Sequence, residues 1–124
     1  MYRDRLKIEI DELKKTLEDG LLSTIIFEKD NDSAVVEYNS VDNSTKAYNR
    51  LINSTLEIFR EYRFDNIDKY MLFHLENDGI LIILPLYNYR WVLLIDNNRV
   101  KLGSILNIII PNTRKKFENI IKVT

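Results

Sequence analysis

Three closely spaced apolar runs in residues 70–96 constrain the fold more than any other stretch of the sequence. The first run is followed by Asn77-Asp78-Gly79, and an Asp-Gly pair between apolar runs predicts a hairpin whose two turn positions have positive φ. The second run ends at Pro85, which cannot donate a hydrogen bond to a neighbouring strand and is therefore expected at the strand's end. The three runs, residues 70–76, 80–84 and 90–95, predict an antiparallel meander. The second and third show no polar alternation, so both of their faces should be covered.

An amphipathic helix and a second hairpin are predicted before the meander. The helix has a narrow apolar stripe at a 3.6-residue period, formed by Leu6, Ile10, Leu13 and Leu17. Gly20 is expected to end it as the left-handed residue past its last turn. Residues 21–29 and 34–38 then read as two strands joined by a turn at residues 30–33. Asp30 and Asp32 have the spacing of two calcium ligands, but the glycine and late glutamate of an EF-hand loop are absent, which favours the turn.

Two further helices are predicted, over residues 43–62 and 102–123. The last contains Pro111, and a proline inside a helix usually kinks or breaks it, so a kink near Ile110 or a new helix from Pro111 is expected. The element order is then αββαβββα. Pairing the hairpin with the meander gives an α/β (α+β) fold of three layers, α/β/α, in which one five-stranded antiparallel sheet has the strand order 2-1-5-4-3. We expect one domain over residues 1–124.

The second helix has two apolar stripes that together span roughly 200°, about twice the arc that one buried face needs. We assign the bulky stripe to the sheet: Tyr48, Ile52, Thr55, Leu56 and Phe59. Polar residues, Asn49 and Asn53 among them, fill the rest of the helix surface. We assign the second stripe, which includes two small residues, to a partner: Ala47, Leu51, Ser54 and Ile58. The alternative is a helix sunk between other elements of the same chain.

The third strand is an edge of the predicted sheet and yet strongly apolar. Such an edge promotes aggregation unless something covers it. Antiparallel pairing of this strand between two copies, with their second helices side by side, would cover both surfaces in one two-fold interface. The predicted dimer interface comprises Ala47, Leu51, Ser54, Ile58, Met71, Leu72, Phe73 and Leu75.

Composition narrows the function classes. A net charge of -1 and a pI near 5.9 give no electrostatic case for nucleic acid or an anionic membrane as partner. No apolar run approaches the ~20 residues that span a bilayer, and the mixed charges at the amino terminus do not resemble a signal peptide, so we expect a soluble cytoplasmic protein. There is no cysteine. The one histidine, His74, is expected to be partly buried and hydrogen-bonded in strand three, and we assign no catalytic, cofactor-binding or metal-binding residue.

Residues 79–86, 91–95 and 100–106, which read GILIILPL, WVLLI and VKLGSIL, resemble the fourth and fifth strands and the start of the last helix of the Roadblock family. This family includes dynein light chains and regulators of small GTPases. The resemblance implies dimerisation through the second helix and third strand, with the same chain or a paralogue. It also implies a non-catalytic scaffold or regulator that binds a small Ras-like GTPase across the paired helices. Two alternatives stay open: a dimeric secretion-type chaperone that holds an unfolded client, and a small-ligand sensor.

Overall fold

An antiparallel five-stranded sheet separates one helix from two others in the computed structural model, which describes residues 2–122. The strands are β1 (Leu21–Glu28), β2 (Ala34–Tyr38), β3 (Met71–His74), β4 (Gly79–Leu86) and β5 (Tyr89–Asp96). Their spatial order is β2-β1-β5-β4-β3, with antiparallel neighbours throughout. The predicted fold class and strand order are confirmed.

The helices lie where periodicity predicted them. They are α1 (Tyr2–Leu17), α2 (Ser44–Glu61) and a carboxy-terminal helix made of α3 (Leu102–Ser104), a π-helical turn (Ile105–Ile109) and α4 (Ile110–Lys122). Val123, where the last predicted helix ended, lies outside the described residues. α1 and α4 cover one face of the sheet, and α2 covers the other.

The larger core lies between the sheet and the α1–α4 layer. All four residues of the predicted α1 stripe are buried there. Trp91 of β5 packs edge-on against Phe117 of α4, with ring centroids 4.9 Å apart, and its Nε1 donates a 2.8 Å hydrogen bond to Thr24 Oγ1. Burial of each such large side chain contributes about 1.5–3 kcal/mol to folding.

The smaller core lies under α2 and consists of Ile25, Phe27, Ile52, Ile83 and Val92. Both β4 and β5 supply side chains to the two cores. Their predicted coverage on both faces is therefore confirmed, and α2 is positioned over the centre of the sheet.

The turn between β3 and β4 differs by one residue from the predicted Asp-Gly turn. Asn77 and Asp78 have positive φ, at 61° and 65°, whereas Gly79 is extended at φ -74° and begins β4. Asn and Asp tolerate the left-handed region better than other non-glycine residues, so they can occupy both turn positions. The hairpin is confirmed, and the placement of its turn was wrong.

Pro85 lies inside β4, not at its end. The strand continues to Leu86 and turns into β5 at Tyr87 and Asn88. β3 pairs with β4 only as far as Ile83, so at Pro85 the β3 side of β4 is unpaired. A residue without N–H is tolerated at such an open position.

Gly20 is needed for space, not for a left-handed conformation. The residue with positive φ after α1 is Glu18, at 52°, and no glycine has positive φ in the part of the chain that the structure describes. A Cβ on Gly20 would lie 2.3 Å from Val100 Cγ1. The glycine therefore lets the segment before β1 pass close to the segment that follows β5.

Pro111 neither breaks the carboxy-terminal helix nor starts a new one. A π-helical turn immediately precedes it, where Ile110 N–H donates to Ile105 O, and helical backbone continues on both sides. A wider turn gives the proline ring room near the carbonyl four residues earlier, which it would otherwise meet. The predicted disruption near Ile110 is thus a change of helix type.

The β2 edge of the sheet is short and irregular. β2 has five residues, and its pairing with β1 shifts register between Ile26 and Phe27. Its side chain Glu37 is exposed, and Asn39 Nδ2 donates a 2.9 Å hydrogen bond to Leu22 O just beyond its end. Short length, a bulge and an exposed charge are the devices that keep a sheet edge from pairing with another strand.

Candidate assembly surface

The α2 stripe assigned to a partner is exposed along its whole length in the single chain. Ala47, Leu51, Ser54 and Ile58 all face outward. The side chain of Leu51 is 37% exposed and that of Ile58 is 50% exposed. No other element of residues 2–122 covers this stripe, which leaves an apolar helix face available to another molecule.

The bulky α2 stripe packs towards the sheet, as predicted. Ile52 is buried in the smaller core, with Tyr48 and Leu56 packed against it. Thr55 and Phe59 are half-buried. Burial raises the pKa of Tyr48, whose ring stacks on Phe27 with centroids 6.1 Å apart. The two stripes of α2 therefore have different surroundings, one internal and one open.

The apolar surface of α2 continues past the end of the helix. Phe59 meets Phe64 edge-on, with ring centroids 5.4 Å apart. Tyr62 and Phe64 are exposed in residues 62–70, which connect α2 to β3. Tyr62 N–H donates to Ile58 O and Phe64 N–H donates to Phe59 O, so both lie at the last turn of α2 and add exposed aromatic surface there.

Asn49 belongs to the polar remainder of α2 outside the two apolar stripes, and yet it is buried, with 4% of its surface exposed. Its Nδ2 donates to Asp32 Oδ1 and, at 3.4 Å, to Glu28 O. Its Oδ1 accepts a 2.5 Å hydrogen bond from Arg90 Nη1. Thr45, one turn earlier on the same face, donates from Oγ1 to Asp32 O at 2.7 Å. These bonds hold the first half of α2 against the β1–β2 turn and β5.

Arg90 is the cation of this polar cluster. Burial lowers the pKa of its guanidinium, while the nearby carboxylates of Asp30 and Asp32 act in the opposite direction. A second bond of 3.1 Å runs from its Nη2 to Asn53 Oδ1. Since a buried cation needs partners, the cluster restricts how α2 can sit on the sheet.

The acidic β1–β2 turn is a hairpin turn, as predicted, and it also accepts hydrogen bonds from α2. Ser33 O accepts a 2.9 Å hydrogen bond from Glu28 N–H, which closes the hairpin. Within residues 2–122, no group of three or more histidine, cysteine, aspartate or glutamate residues is arranged to hold a metal ion.

β3 is an edge strand, and its side chains alternate between the two layers. Met71 and Phe73 pack towards the α2 core, and Leu72 packs towards the α1–α4 core. Leu75, also assigned to the interface, follows the strand and is 43% exposed. β3 is shorter than the predicted residues 70–76, because only Met71–His74 pair with β4.

His74 is exposed, so its predicted burial was wrong. It lies on the sheet edge and makes no side-chain hydrogen bond or ion pair with any described residue. Its place among apolar residues in the sequence suggested burial, but the last paired residue of an edge strand has little covering it.

A small cavity lies between α2, the connector and the β3–β4 hairpin. Its volume is about 90 Å³, and its walls include Leu56, Ile67, Met71, Pro85 and Arg90. Sites for drug-sized ligands usually measure ~300–1,000 Å³.

Among the helices of the described residues, none is both long and apolar enough to cross a membrane.

Solved structures with the same arrangement of elements are found. MglB of Myxococcus xanthus superposes with a TM-score of 0.79 over 98% of this chain and 90% of its own, at 12% sequence identity. The gliding protein MglB of Thermus thermophilus gives 0.74 over 97% and 93%, at 10% identity. A Roadblock/LC7 domain from Streptomyces avermitilis gives 0.53 over 84% and 82%, at 10% identity. The chain therefore has the Roadblock fold that its apolar segments resembled.

Comparison of sequences gives no such likeness: neither a protein-family model nor a curated protein matches the chain. The likeness to MglB and to the Streptomyces domain is one of fold.

Proposed function

We propose that this chain is a non-catalytic, dimeric interaction module that scaffolds or regulates a small Ras-like GTPase. The observation that carries the proposal is the open apolar stripe of α2 beside the apolar edge strand β3 on a Roadblock fold. Members of the Roadblock family include regulators of small GTPases, which supports the same class of partner here.

Dimerisation uses α2 and β3. The exposed side chains of Leu51 and Ile58 pack against the same helix of a second copy, or of a paralogue, while Ala47 and Ser54 let the two helices approach closely. Pairing of the two β3 strands satisfies backbone groups that otherwise face water. The GTPase then binds across the paired α2 helices.

The first test is the mass in solution at micromolar concentration. We expect the wild type to have twice the 14.8 kDa mass of the chain, and Ile58→Asp and Met71→Lys to shift it to the monomer. Ile8→Asp is the matched control, because Ile8 is 59% exposed on α1, in the opposite layer, and its replacement should leave the mass unchanged. A monomeric wild type would contradict the proposed dimer.

The second test is binding of a panel of small Ras-like GTPases to immobilised protein. Each GTPase is loaded with GDP or with a non-hydrolysable GTP analogue. We expect one GTPase to bind about tenfold or more tightly in one nucleotide state, which is an ordinary coupling strength between two sites. Retention of an unstructured client segment in place of any folded GTPase would favour the secretion-type chaperone.

A further inference from the structure

The β3–β4 hairpin determines which backbone groups of β3 are free. Leu75 N–H donates a 2.7 Å hydrogen bond to Gly79 O, so this pair closes the hairpin with a backbone bond. Antiparallel pairs alternate between hydrogen-bonded and non-hydrogen-bonded positions. Phe73 and Met71, two and four residues before Leu75, therefore bond to β4.

The backbone groups of Leu72 and His74 point the other way, to the open edge. Each offers one N–H and one C=O to a further strand. The side chain of Leu72 packs in the α1–α4 layer, whereas those of Met71 and Phe73 pack in the α2 layer. A second β3 added antiparallel, with both α2 helices on one side, must match these free groups and also these faces.

A two-fold axis at Phe73 satisfies both requirements, the pairing of the free backbone groups and the matching of the side-chain faces. It pairs Leu72 with His74 of the second copy in each direction, so all the free backbone groups of these two residues are used. Beneath the α2 helices, Phe73 lies opposite its own counterpart, and Met71 lies opposite Leu75 of the second copy. Apolar and aromatic side chains that face each other across a non-hydrogen-bonded pair are in close contact.

Neighbouring axes fit less well. An axis one residue earlier would set Leu75 opposite residue 69, which precedes the strand, and an axis one residue later would set Met71 against Asn77 of the turn. Either one leaves an apolar side chain without an apolar counterpart and leaves part of the apolar edge open to water.

An open cavity lies where β3 begins, on the α4 side of the sheet. Its volume is about 470 Å³, and Lys69, Tyr70, Arg114 and Glu118 are among its lining residues. Arg114 Nε is buried and has no hydrogen-bond partner, and Glu118 Oε1 lies 3.9 Å from it. Lys69 is exposed and makes no ion pair within residues 2–122. The cavity is therefore lined by two cations, one of which has an unsatisfied donor, and by one carboxylate, an arrangement with room for a second carboxylate.

The axis at Phe73 brings such a carboxylate to this cavity, because it sets Tyr70 opposite Glu76 of the second copy. Glu76 belongs to the turn Glu76–Asp78 and is exposed without an ion pair in the described part of the chain. The backbone of Leu75 is still extended, at φ -92° and ψ 166°, so the alternation of β3 carries on as far as Glu76, six residues after Tyr70, and directs it to the same face of the sheet.

We infer that two copies pair antiparallel through β3 about a two-fold axis at Phe73, and that Glu76 of each copy binds in the Lys69–Arg114 cavity of the other. The inference rests on the proposed dimer and adds its register and its ionic contacts. The occupant of the cavity is a second copy of this chain, since its charge complements the cavity and its position follows from the strand pairing.

Disulfide trapping tests the register. The chain has no cysteine, so a single introduced thiol can bond only to its counterpart in another copy. Phe73→Cys should oxidise to a linked pair, because directly opposed Cβ atoms lie ~4.5–5.5 Å apart. Leu72→Cys and His74→Cys should not, because their counterparts would be diagonal neighbours at about 7–8 Å. Linkage confined to position 72 or 74, or absence of linkage in a protein that is dimeric, would overturn the register.

Charge reversal tests the ionic contact. Lys69→Glu and Glu76→Lys should each raise the dimer dissociation constant about tenfold, since every dimer contains the contact twice and each change introduces repulsion. The double variant should return to within about twofold of wild type. Lys115→Glu, an exposed reversal on α4, is the control and should have no effect. A double variant no better than the single variants would overturn the contact.

These outcomes separate the inference from the proposed function. A monomeric wild type contradicts the dimer itself. A dimeric wild type that fails both the trapping and the reversal experiments contradicts only the register and the Glu76 contact, and leaves the proposed interaction module standing.

Discussion

Asn49 occupies a helix position where an apolar residue would be expected, and its side chain joins α2 to β5 and to the β1–β2 turn. Its amide oxygen accepts from Arg90, and its amide nitrogen donates to Asp32 and to Glu28 O. An amide can satisfy donors and acceptors at once, so it suits a buried place between a cation and a carboxylate. The orientation of α2, and hence of its open stripe, depends on this residue.

Asn49→Ala should lower the free energy of unfolding by about 1–3 kcal/mol, because it leaves Arg90 and Asp32 without a buried partner. Asn53→Ala is the matched control. Asn53 also accepts from Arg90, but it is exposed, so water can replace it and the loss should stay under about 0.5 kcal/mol. Urea unfolding followed by circular dichroism at one protein concentration measures both. Equal losses would show that burial of the amide is unimportant.

At this scale the sequence was informative about apolar residues and less so about polar ones. The α1 stripe and the bulky α2 stripe were predicted from spacing alone. Asn49 was grouped with the polar surface residues of α2 because of its residue type. A signal was present, since Thr45, Asn49, Ile52 and Leu56 follow one helical line, and Arg90 opens a buried strand that needs a polar partner. The roles of Gly20 and Pro85 depend on which distant segment passes nearby, which local sequence does not report.

β3 is the element on which the proposed assembly depends. Its four residues pair with β4 on one side and offer backbone groups on the other. The sequence predicted the strand, its edge position and its apolar character. The length of its pairing and the position of its turn could not be predicted, because both are decided by the register with β4.

His74→Pro tests the open side of β3. The N–H that proline removes points away from β4, so the β3–β4 ladder should survive and the far-UV spectrum should not change. The dimer dissociation constant should rise about tenfold or more, because a bond is lost on each side of the axis. His74→Ala keeps the N–H and should dimerise as the wild type does. Similar dissociation constants for the two variants, measured by analytical ultracentrifugation, would exclude β3 pairing.

The carboxy-terminal helix contains a π-helical turn that its sequence did not predict. Pro111 predicted a kink or a break; helical backbone continues through it, and the chain widens one turn before the proline. Ile105 and Ile110 are both buried in the larger core, so tertiary contacts fix the helix on the two sides of the wide turn that accommodates the proline.

For the whole molecule, the strand order could be predicted because the apolar pattern of each strand indicates how many of its faces are covered. The first, fourth and fifth strands have apolar side chains on both faces and belong in the centre, and a short, partly polar strand belongs at an edge, which left few orders to consider. The partner of the open surface has no such local signature. Shared fold with MglB at 12% identity does not supply it either, since a fold can host different partners.

The proposed dimer predicts that stability depends on protein concentration. The wild-type melting temperature should rise about 2–3 °C for each tenfold increase in protein concentration, because mass action favours the associated native state. Ile58→Asp should melt at the same temperature throughout the series. Differential scanning calorimetry over two orders of magnitude in concentration measures the slope, and a flat wild-type curve would argue against association.

The contrast between the two margins of the sheet limits how far self-association can proceed. β2 is short, interrupted by a bulge and carries an exposed charge, whereas β3 has unpaired backbone groups on one side. A sheet with two unprotected edges can add copies without limit and form a filament, but a sheet with one unprotected edge stops once that edge has paired with its copy. The irregularity of β2 thus prevents the addition of a further strand at that edge, so fibril growth has no second site from which to continue.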